Sequence, residues 1–415
     1  MTHSLRAVAR AFAGAASPGA AIALSLAACG AAQAQEQPWY LGAKVGYTHD
    51  SNVFRRNNPE VSDNITSAGV LGGFHWRPGR QHLYIDADAQ NNRYDKLDQL
   101  DNTSHSVSTG LNWQTVGNLG GSLRYTQRKY LGDFAVAATP ADRNLVKGQD
   151  ATATVRYGYV SALGVEAGAS RRKADYTLSL ERNVESDVVW VGARYGAGGQ
   201  LSFGVTARAT KDETPLFRPL LPLELTDGVP TLSPTIEPDE GDRRDLDFNV
   251  TWQPSGLSTI VGRISLTRQD HTAPSRSDFS GVTGQVTWEY KPTGKTTIRS
   301  ALVRDTGEET SFLSLTQFGL TGLRFDNNRV NWIGQVEADW EATSKILVTA
   351  GLRYIRGTLE TLSGQDFSSN QTRLRLGARY QATRAASLGC DFLSDTGSAT
   401  ASATVFGCSA EFVLR

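Results

Sequence analysis

From residue 39 onward the chain consists of runs of about ten residues in which apolar and polar side chains alternate, each run closed by a turn or loop. In one run Leu83, Ile85, Ala87 and Ala89 share a face, while Tyr84, Asp86, Asp88, Gln90 and Asn92 share the other. In another, Leu246, Phe248, Val250 and Trp252 stand against Asp245, Asp247, Asn249 and Thr251. Successive side chains of a strand point to opposite faces, so alternation over this length predicts strands that are wet on one side only. The pattern places strands near 39–48, 66–76, 81–93, 103–114, 119–130, 149–159, 164–175, 187–196, 200–210, 244–253, 257–268, 279–290, 295–305, 329–341, 346–356, 370–381, 386–393 and 403–415, roughly 18 in all.

The connections alternate in length. Some are tight, such as Arg77-Pro78-Gly79-Arg80, Ala197-Gly198-Gly199 and Ala382-Thr383-Arg384-Ala385. Others are long and polar, such as 49–65, 131–147, 211–243, 306–328 and 358–369. Short periplasmic turns opposite longer external loops are the asymmetry of a bacterial outer-membrane barrel. Trp39 opens the first strand, and Trp76, Trp113, Trp252, Trp288 and Trp340 stand just before tight turns, all on the apolar parity. Tyr159, Tyr195 and Tyr380 hold the same place before three further turns. Rings with an apolar body and a polar handle favour the boundary between acyl chains and headgroups, so these residues predict an interfacial girdle on the periplasmic side. A soluble propeller or sandwich also alternates. It gives no reason for aromatics to recur at one end of the strands on the outward parity.

The expected fold is therefore all-β: a transmembrane antiparallel up-and-down β-barrel of about 18 strands, formed by residues 35–415 in the outer membrane of a Gram-negative bacterium. Its lipid partner is that membrane. The last strand puts Phe406, Ala410, Phe412 and Leu414 on the lipid parity and resembles the signal read by the barrel-assembly machinery, although the chain ends in Arg415 rather than an aromatic.

Residues 1–34 read as a signal peptide, with Arg6 and Arg10 before a short apolar core and Ala32-Gln33-Ala34 as a small-x-small cleavage site. An overlapping alternative is Leu26-Ala27-Ala28-Cys29, which resembles a lipoprotein box with an acylated cysteine. Beyond residue 35 no apolar run is long enough for a membrane helix. Acidic and basic residues balance at 42 each, and the basic ones are spread singly, so nothing points to nucleic acid. Cleavage would leave two cysteines, Cys390 and Cys408, symmetric about a turn near Ala399. They are either a disulfide stapling the last hairpin, which an oxidising periplasm permits, or two free small residues facing lipid.

The polar parity is rich in arginine: Arg124, Arg128, Arg156, Arg172, Arg194, Arg208, Arg263, Arg299, Arg353, Arg373, Arg375 and Arg379, with Lys44 beside them. Asp86, Asp88, Glu166, Asp245, Asp247, Glu289, Glu337, Asp339, Asp391 and Glu411 face the same way. One reading is a set of cross-strand ion pairs filling a polar interior. The other is a pore wall with a basic stripe that favours anions, since guanidinium groups match carboxylates. Two loops are candidates to narrow such a pore. Residues 211–243 interleave six prolines with Leu216, Phe217, Leu220, Leu221, Leu223 and Leu225, and residues 306–328 carry Phe312, Leu313, Leu315, Phe318, Leu320 and Leu323. They either fold inward as lids or pack on strands that extend past the membrane. His49, His75, His82, His105 and His271 are scattered, with no catalytic motif, no metal-spaced Cys/His cluster and no phosphate-cradling glycine loop. The sequence therefore predicts neither an enzyme nor a cofactor.

The opening stretch, Trp39-Tyr40-Leu41-Gly42 through Tyr47-Thr48-His49-Asp50-Ser51-Asn52-Val53-Phe54-Arg55, resembles the start of the EpsL-type β-barrel porins associated with exopolysaccharide synthesis. The resemblance implies an outer-membrane channel passing an extracellular polysaccharide to the cell surface beside a periplasmic polysaccharide-export protein. The arginines would make that polymer acidic. It transfers no binding residue: Asp50, Ser51 and Asn52 carry the match, and the start of a tight loop also explains them. The alternatives are a general or substrate-specific diffusion porin and a closed barrel that anchors or binds surface polysaccharide.

Overall fold

A computed structural model of the protein describes residues 37–132, 143–158, 162–197, 199–217, 223–226, 229–232, 237–274, 276, 278–306, 329–360, 366–398 and 401–415. The signal-peptide and Cys29 expectations, Tyr159, and residues 307–328 of the second lid candidate lie outside these residues.

Eighteen strands form one closed sheet. They are β1 Trp39–Asp50, β2 Asp63–Trp76, β3 His82–Tyr94, β4 Asn102–Gln114, β5 Leu119–Leu131, β6 Leu145–Tyr157, β7 Leu163–Tyr176, β8 Val184–Ala197 and β9 Leu201–Phe217. After a separate ribbon of β10 Leu223–Thr226 and β11 Val229–Leu232 come β12 Glu237–Ser255, β13 Ser258–His271, β14 Phe279–Thr293, β15 Thr296–Asp305 and β16 Arg329–Thr343. The series ends with β17 Ile346–Glu360, β18 Asp366–Gln381, β19 Ala386–Gly397 and β20 Ala403–Leu414. Each barrel strand pairs antiparallel with its neighbours in sequence, β9 pairs with β12, and β20 returns to β1 with Leu41 opposite Leu414 and Asp50 opposite Val405. Closure leaves no sheet edge, the condition for backbone groups to cross a bilayer satisfied.

The strands run further at their outer ends than the alternation alone suggests. β9 continues to Phe217 and β12 begins at Glu237, with Phe217 and Glu237 paired, so the first lid candidate begins and ends as strand. Cross-strand hydrogen bonding extends a ladder past the point where the apolar parity stops, and β12 thus carries Asp239 and Arg243 well above the last belt residue, Leu246.

The outward parity is a continuous apolar belt. Val70, Leu123, Val191, Ile264, Leu302, Leu352, Leu388 and Phe406 are each more than half exposed. A soluble surface does not carry apolar side chains around its whole circumference, and a bilayer makes them favourable. Trp39, Trp76, Trp252, Trp288, Trp340, Tyr195 and Tyr380 are exposed at one rim of this belt, and Trp113 lies there against Gly121. The protein is an outer-membrane β-barrel with its short turns at the girdle. At that rim proline shapes the hairpins: Pro254 and Pro292 fall where the registers shift between Trp252 and Ser255 and between Tyr290 and Thr293. Proline has no N–H to give a ladder, so it belongs at such irregularities. Gly79, at φ 62°, closes the β2–β3 turn in a conformation that costs glycine little.

At the outer rim the first loop is fastened to the barrel. Val53, Phe54 and Leu100 form a small buried cluster against Val61, Tyr94, Leu97 and Leu131. Asp50 accepts from the Asn52 N–H at 3.0 Å and from Arg55 Nη1 at 2.8 Å. Asn52 Nδ2 donates to the Arg56 and Ser402 carbonyls, and the Ser51 hydroxyl accepts from the Thr404 N–H at 2.8 Å. Asp50, Ser51 and Asn52 thus tie the loop to the outer end of β20.

Candidate functional site

A closed barrel of this strand number encloses a lumen wide enough for water, so the candidate site is its inner wall. Each candidate arginine lies on the inward parity of its strand: Arg124 and Arg128 on β5, Arg156 on β6, Arg172 on β7, Arg194 on β8, Arg208 on β9, Arg263 on β13, Arg299 on β15, Arg353 on β17, and Arg373, Arg375 and Arg379 on β18.

Half of these arginines, and Lys44, meet an anion one or two strands away. Arg156 pairs with Glu166, Arg172 with Asp150 at 2.9 Å, Arg373 with Asp395 at 2.6 Å and Arg375 with Asp391 at 2.9 Å. Arg299 reaches Asp339 at 2.6 Å and Glu337 at 3.4 Å, and Lys44 reaches Asp88 at 3.4 Å. Asp150, Asp305 and Asp395 enter these networks as inward-facing acids that strand alternation also exposes but the sequence reading did not single out. To this extent the wall is the ion-pair lattice that a polar interior needs.

The lattice has two textures. On β12 to β17 the inward charges toward the outer ends, Arg243, Asp245, Asp247, Asp305 and Arg353, are buried, while Arg299, Glu289 and Asp339 nearer the girdle are partly exposed. Arg243 donates to Asp245 at 2.9 Å, to Asp305 at 3.1 Å, to the Thr306 hydroxyl at 3.0 Å and to the Thr283 hydroxyl at 3.4 Å, and its exposure is 3%. On their girdle side Val303, Ile333 and Ile355 stand opposite one another on three adjacent strands as a buried apolar rung. On β1 to β8 the wall is open, with Gly69, Gly73, Ser104, Ser106, Ser108 and Gly110 beside half-exposed charges. There Arg124, Arg128 and Arg194 make no ion pair among the described residues, and neither does Arg379 at the girdle end of β18. Glu411 is an inward acid in the same condition.

A cavity of about 630 Å³ lies against the wall formed by β16 to β20 and β1 to β3, lined by Lys44, Glu337, Arg353, Arg373, Arg375, Asp391 and Glu411. Arg353 stands opposite Arg373. Its Nε and Nη1 are buried with no hydrogen-bond partner among the described residues. A guanidinium with unmet donors beside a cavity is a seat for an anion.

Cys390 and Cys408 stand opposite each other on β19 and β20 and are joined by a disulfide on the outward parity. His75 and His82, scattered in the sequence, come together with Tyr40 and Tyr84 at the girdle end of the lumen. Trp190 turns inward, lies over Gly168, and donates to Glu166 at 3.1 Å. The signal for these was parity: each is an aromatic on the polar face of its strand. At the outer rim, Asp239 accepts from Arg276, from the Ala273 N–H at 3.0 Å and from His271 Nδ1 at 3.1 Å. Burial pushes its carboxyl up, but the His271 hydrogen bond, the Arg276 charge and the Ala273 N–H outweigh that and hold it down at about 2.

No protein-family model matches this chain, and no curated protein matches it. Solved structures similar to it include Pseudomonas aeruginosa OpdK (13% identity, TM-score 0.46, covering 91% of this chain and 98% of that one). Others are P. aeruginosa OpdQ (11%, 0.47, 92% and 99%) and Acinetobacter baumannii OccAB4 (10%, 0.47, 92% and 99%). Likeness at this level does not bear on solute or mechanism, which rest on the wall itself.

Proposed function

We propose that the protein is a passive diffusion channel of the outer membrane that favours small anionic solutes. The observation that carries this reading is the imbalance among unpaired inward charges. Arg124, Arg128, Arg194 and Arg379 lack ion pairs among the described residues, and Arg353 keeps unmet donors, against Glu411, Asp86, whose ion-pair partner is His75, and the acids that share Arg299 on the acidic side. Paired charges cancel at a distance, so the field a passing ion meets is set by the unpaired ones, and it is positive. The small side chains Ser104, Ser106 and Ser108 of β4 keep that part of the wall clear. Refolded protein in a planar bilayer under a KCl gradient is expected to conduct in discrete steps with a reversal potential on the chloride side. Conducting steps with cation preference would refute the anionic part of the reading, and a silent barrel would refute the channel.

Export of an acidic exopolysaccharide has one observation in its favour, the resemblance around Asp50-Ser51-Asn52. Those residues already have work in fastening the first loop, so diffusion is the better supported reading. Unchanged surface polysaccharide in a deletion strain would remove the export reading and leave the channel standing.

A further inference from the structure

We propose that Tyr40, His75, His82 and Tyr84, with Asp86 and Arg124, form a binding site for an acidic pyranose, a hexuronate-type sugar, at the girdle end of the lumen. The proposal deepens the channel reading and rests on it for access from the periplasm.

The four rings come from three adjacent strands. Their centroids are 6.2 Å apart for Tyr40 and His75, 6.0 Å for His75 and Tyr84, 5.4 Å for His75 and His82, and 5.5 Å for His82 and Tyr84. Opposite Tyr40 is Gly73, and opposite Tyr84 is Gly110. A Cβ on either glycine would collide with the tyrosine ring across from it. Both rings therefore lie down over a neighbouring strand's backbone and turn a broad face to the lumen. Covering a glycine with a cross-strand aromatic stabilises a sheet. That accounts for two tyrosines, not for four rings at one level of a water-filled wall.

The rings are tilted 36° to 56° from one another, so they form a shallow cup in which one ring face takes the C–H side of a solute and its neighbours meet the edge, which suits a pyranose with C–H groups on one side and hydroxyls at its edge. The hydroxyl acceptor is at hand. Asp86 Oδ1 takes the Tyr40 hydroxyl at 2.6 Å and His75 Nε2 at 2.9 Å, which fixes the carboxylate, while Oδ2 makes no hydrogen bond among the described residues. The carboxylate partner is at the other end. Arg124 is registered with Gly110, so along one row run Tyr84, a residue without a side chain, and an exposed guanidinium without an ion pair among the described residues. One strand spacing, about 5 Å, separates Gly110 from Arg124. Because the Tyr84 ring covers Gly110, a sugar stacked on its lumen face carries its carboxylate past the ring's hydroxyl edge, toward that fork of donors.

The test is saturation-transfer NMR on the refolded barrel in detergent with glucuronate, glucose and benzoate, each variant first checked for folding by its heat-dependent shift on gels. Wild type is expected to bind glucuronate more tightly than glucose. Tyr40→Leu/Tyr84→Leu is expected to weaken both sugars about fivefold or more. Arg124→Gln is expected to bring glucuronate down to the level of glucose. Asp86→Asn, which keeps the rings, is expected to weaken both sugars and leave benzoate unchanged. Glucuronate binding that is equal in wild type and the double leucine variant, or absent from a wild type that conducts, would overturn the site. A barrel that binds glucuronate but passes no current would overturn the channel reading and leave the site intact.

Discussion

The two sides of the lumen wall are made of the same residue types and behave differently. On β12 to β17, Arg243, Asp245, Asp247 and Asp305 are at most 4% exposed. On β1 to β8, Arg124 is exposed and the Lys44–Asp88 pair is 28% and 41% exposed. A buried charge must be paired and hydrogen-bonded or it destabilises the fold. Arg243 accordingly has at least four partners, while Arg124, which water solvates, has no ion pair among the described residues. The first side holds the barrel wall together, and the second is free to act on solutes. Position on the inward parity therefore does not make an arginine functional; unmet donors do, through access to water at Arg124 and beside the cavity at Arg353, which is the exception on the buried side at 3% exposure.

The largest expected effect breaks the buried side. Asp305→Ala leaves Arg243 Nη1 with a lost carboxylate and no water to replace it while the pair with Asp245 remains, and is expected to cost about 2–3 kcal/mol. Urea unfolding followed by the gel shift reads this directly. A loss under 1 kcal/mol would mean that this side is as wet as the other.

Next comes the outer rim. The Asp239 carboxyl is lowered in the folded state to about 2, so its contribution is present above the unfolded value near 4 and lost as pH falls through the folded one. Asp239→Asn is expected to lower stability by about 2 kcal/mol at pH 6, and that gap is expected to close between about pH 4 and pH 2. Thermal unfolding of both proteins across that range checks it; a gap independent of pH would assign the effect to packing.

On the open side the effect moves from stability to transport. Arg124→Gln and Arg128→Gln are each expected to leave stability within about 0.5 kcal/mol. Each is also expected to reduce anion preference about twofold, the scale of one unit charge acting through roughly 8 Å of water. Reversal potentials measure this, and an unchanged value for the double variant would exclude these two residues as the source of selectivity. The smallest effect is expected at Arg375, whose pair with Asp391 is 43% and 55% exposed. Arg375→Gln is expected to shift stability by less than about 0.5 kcal/mol.

Period-two alternation determined most of the architecture from the sequence. It assigned one parity to lipid and the other to the lumen, because in a strand a side chain's face follows from whether its position is odd or even. That is why Trp39, Trp76, Trp252, Trp288 and Trp340 read as one rim, and why the twelve arginines share the parity opposite to theirs, in the sequence itself. The outer strand ends were not legible, since beyond the membrane the ladder continues without the apolar parity that marks it.

What only the tertiary structure decided is register and burial. Which residue stands opposite which depends on the stagger of all eighteen strands, and no local pattern encodes it. Register placed Tyr84 over Gly110 beside Arg124, joined His75 to Tyr40 and Asp86, and set Cys390 against Cys408. Burial separated Arg243 from Arg124, although both sit on the same parity of amphipathic strands. Alternation is a property of one strand, whereas pairing and solvent access belong to the closed sheet.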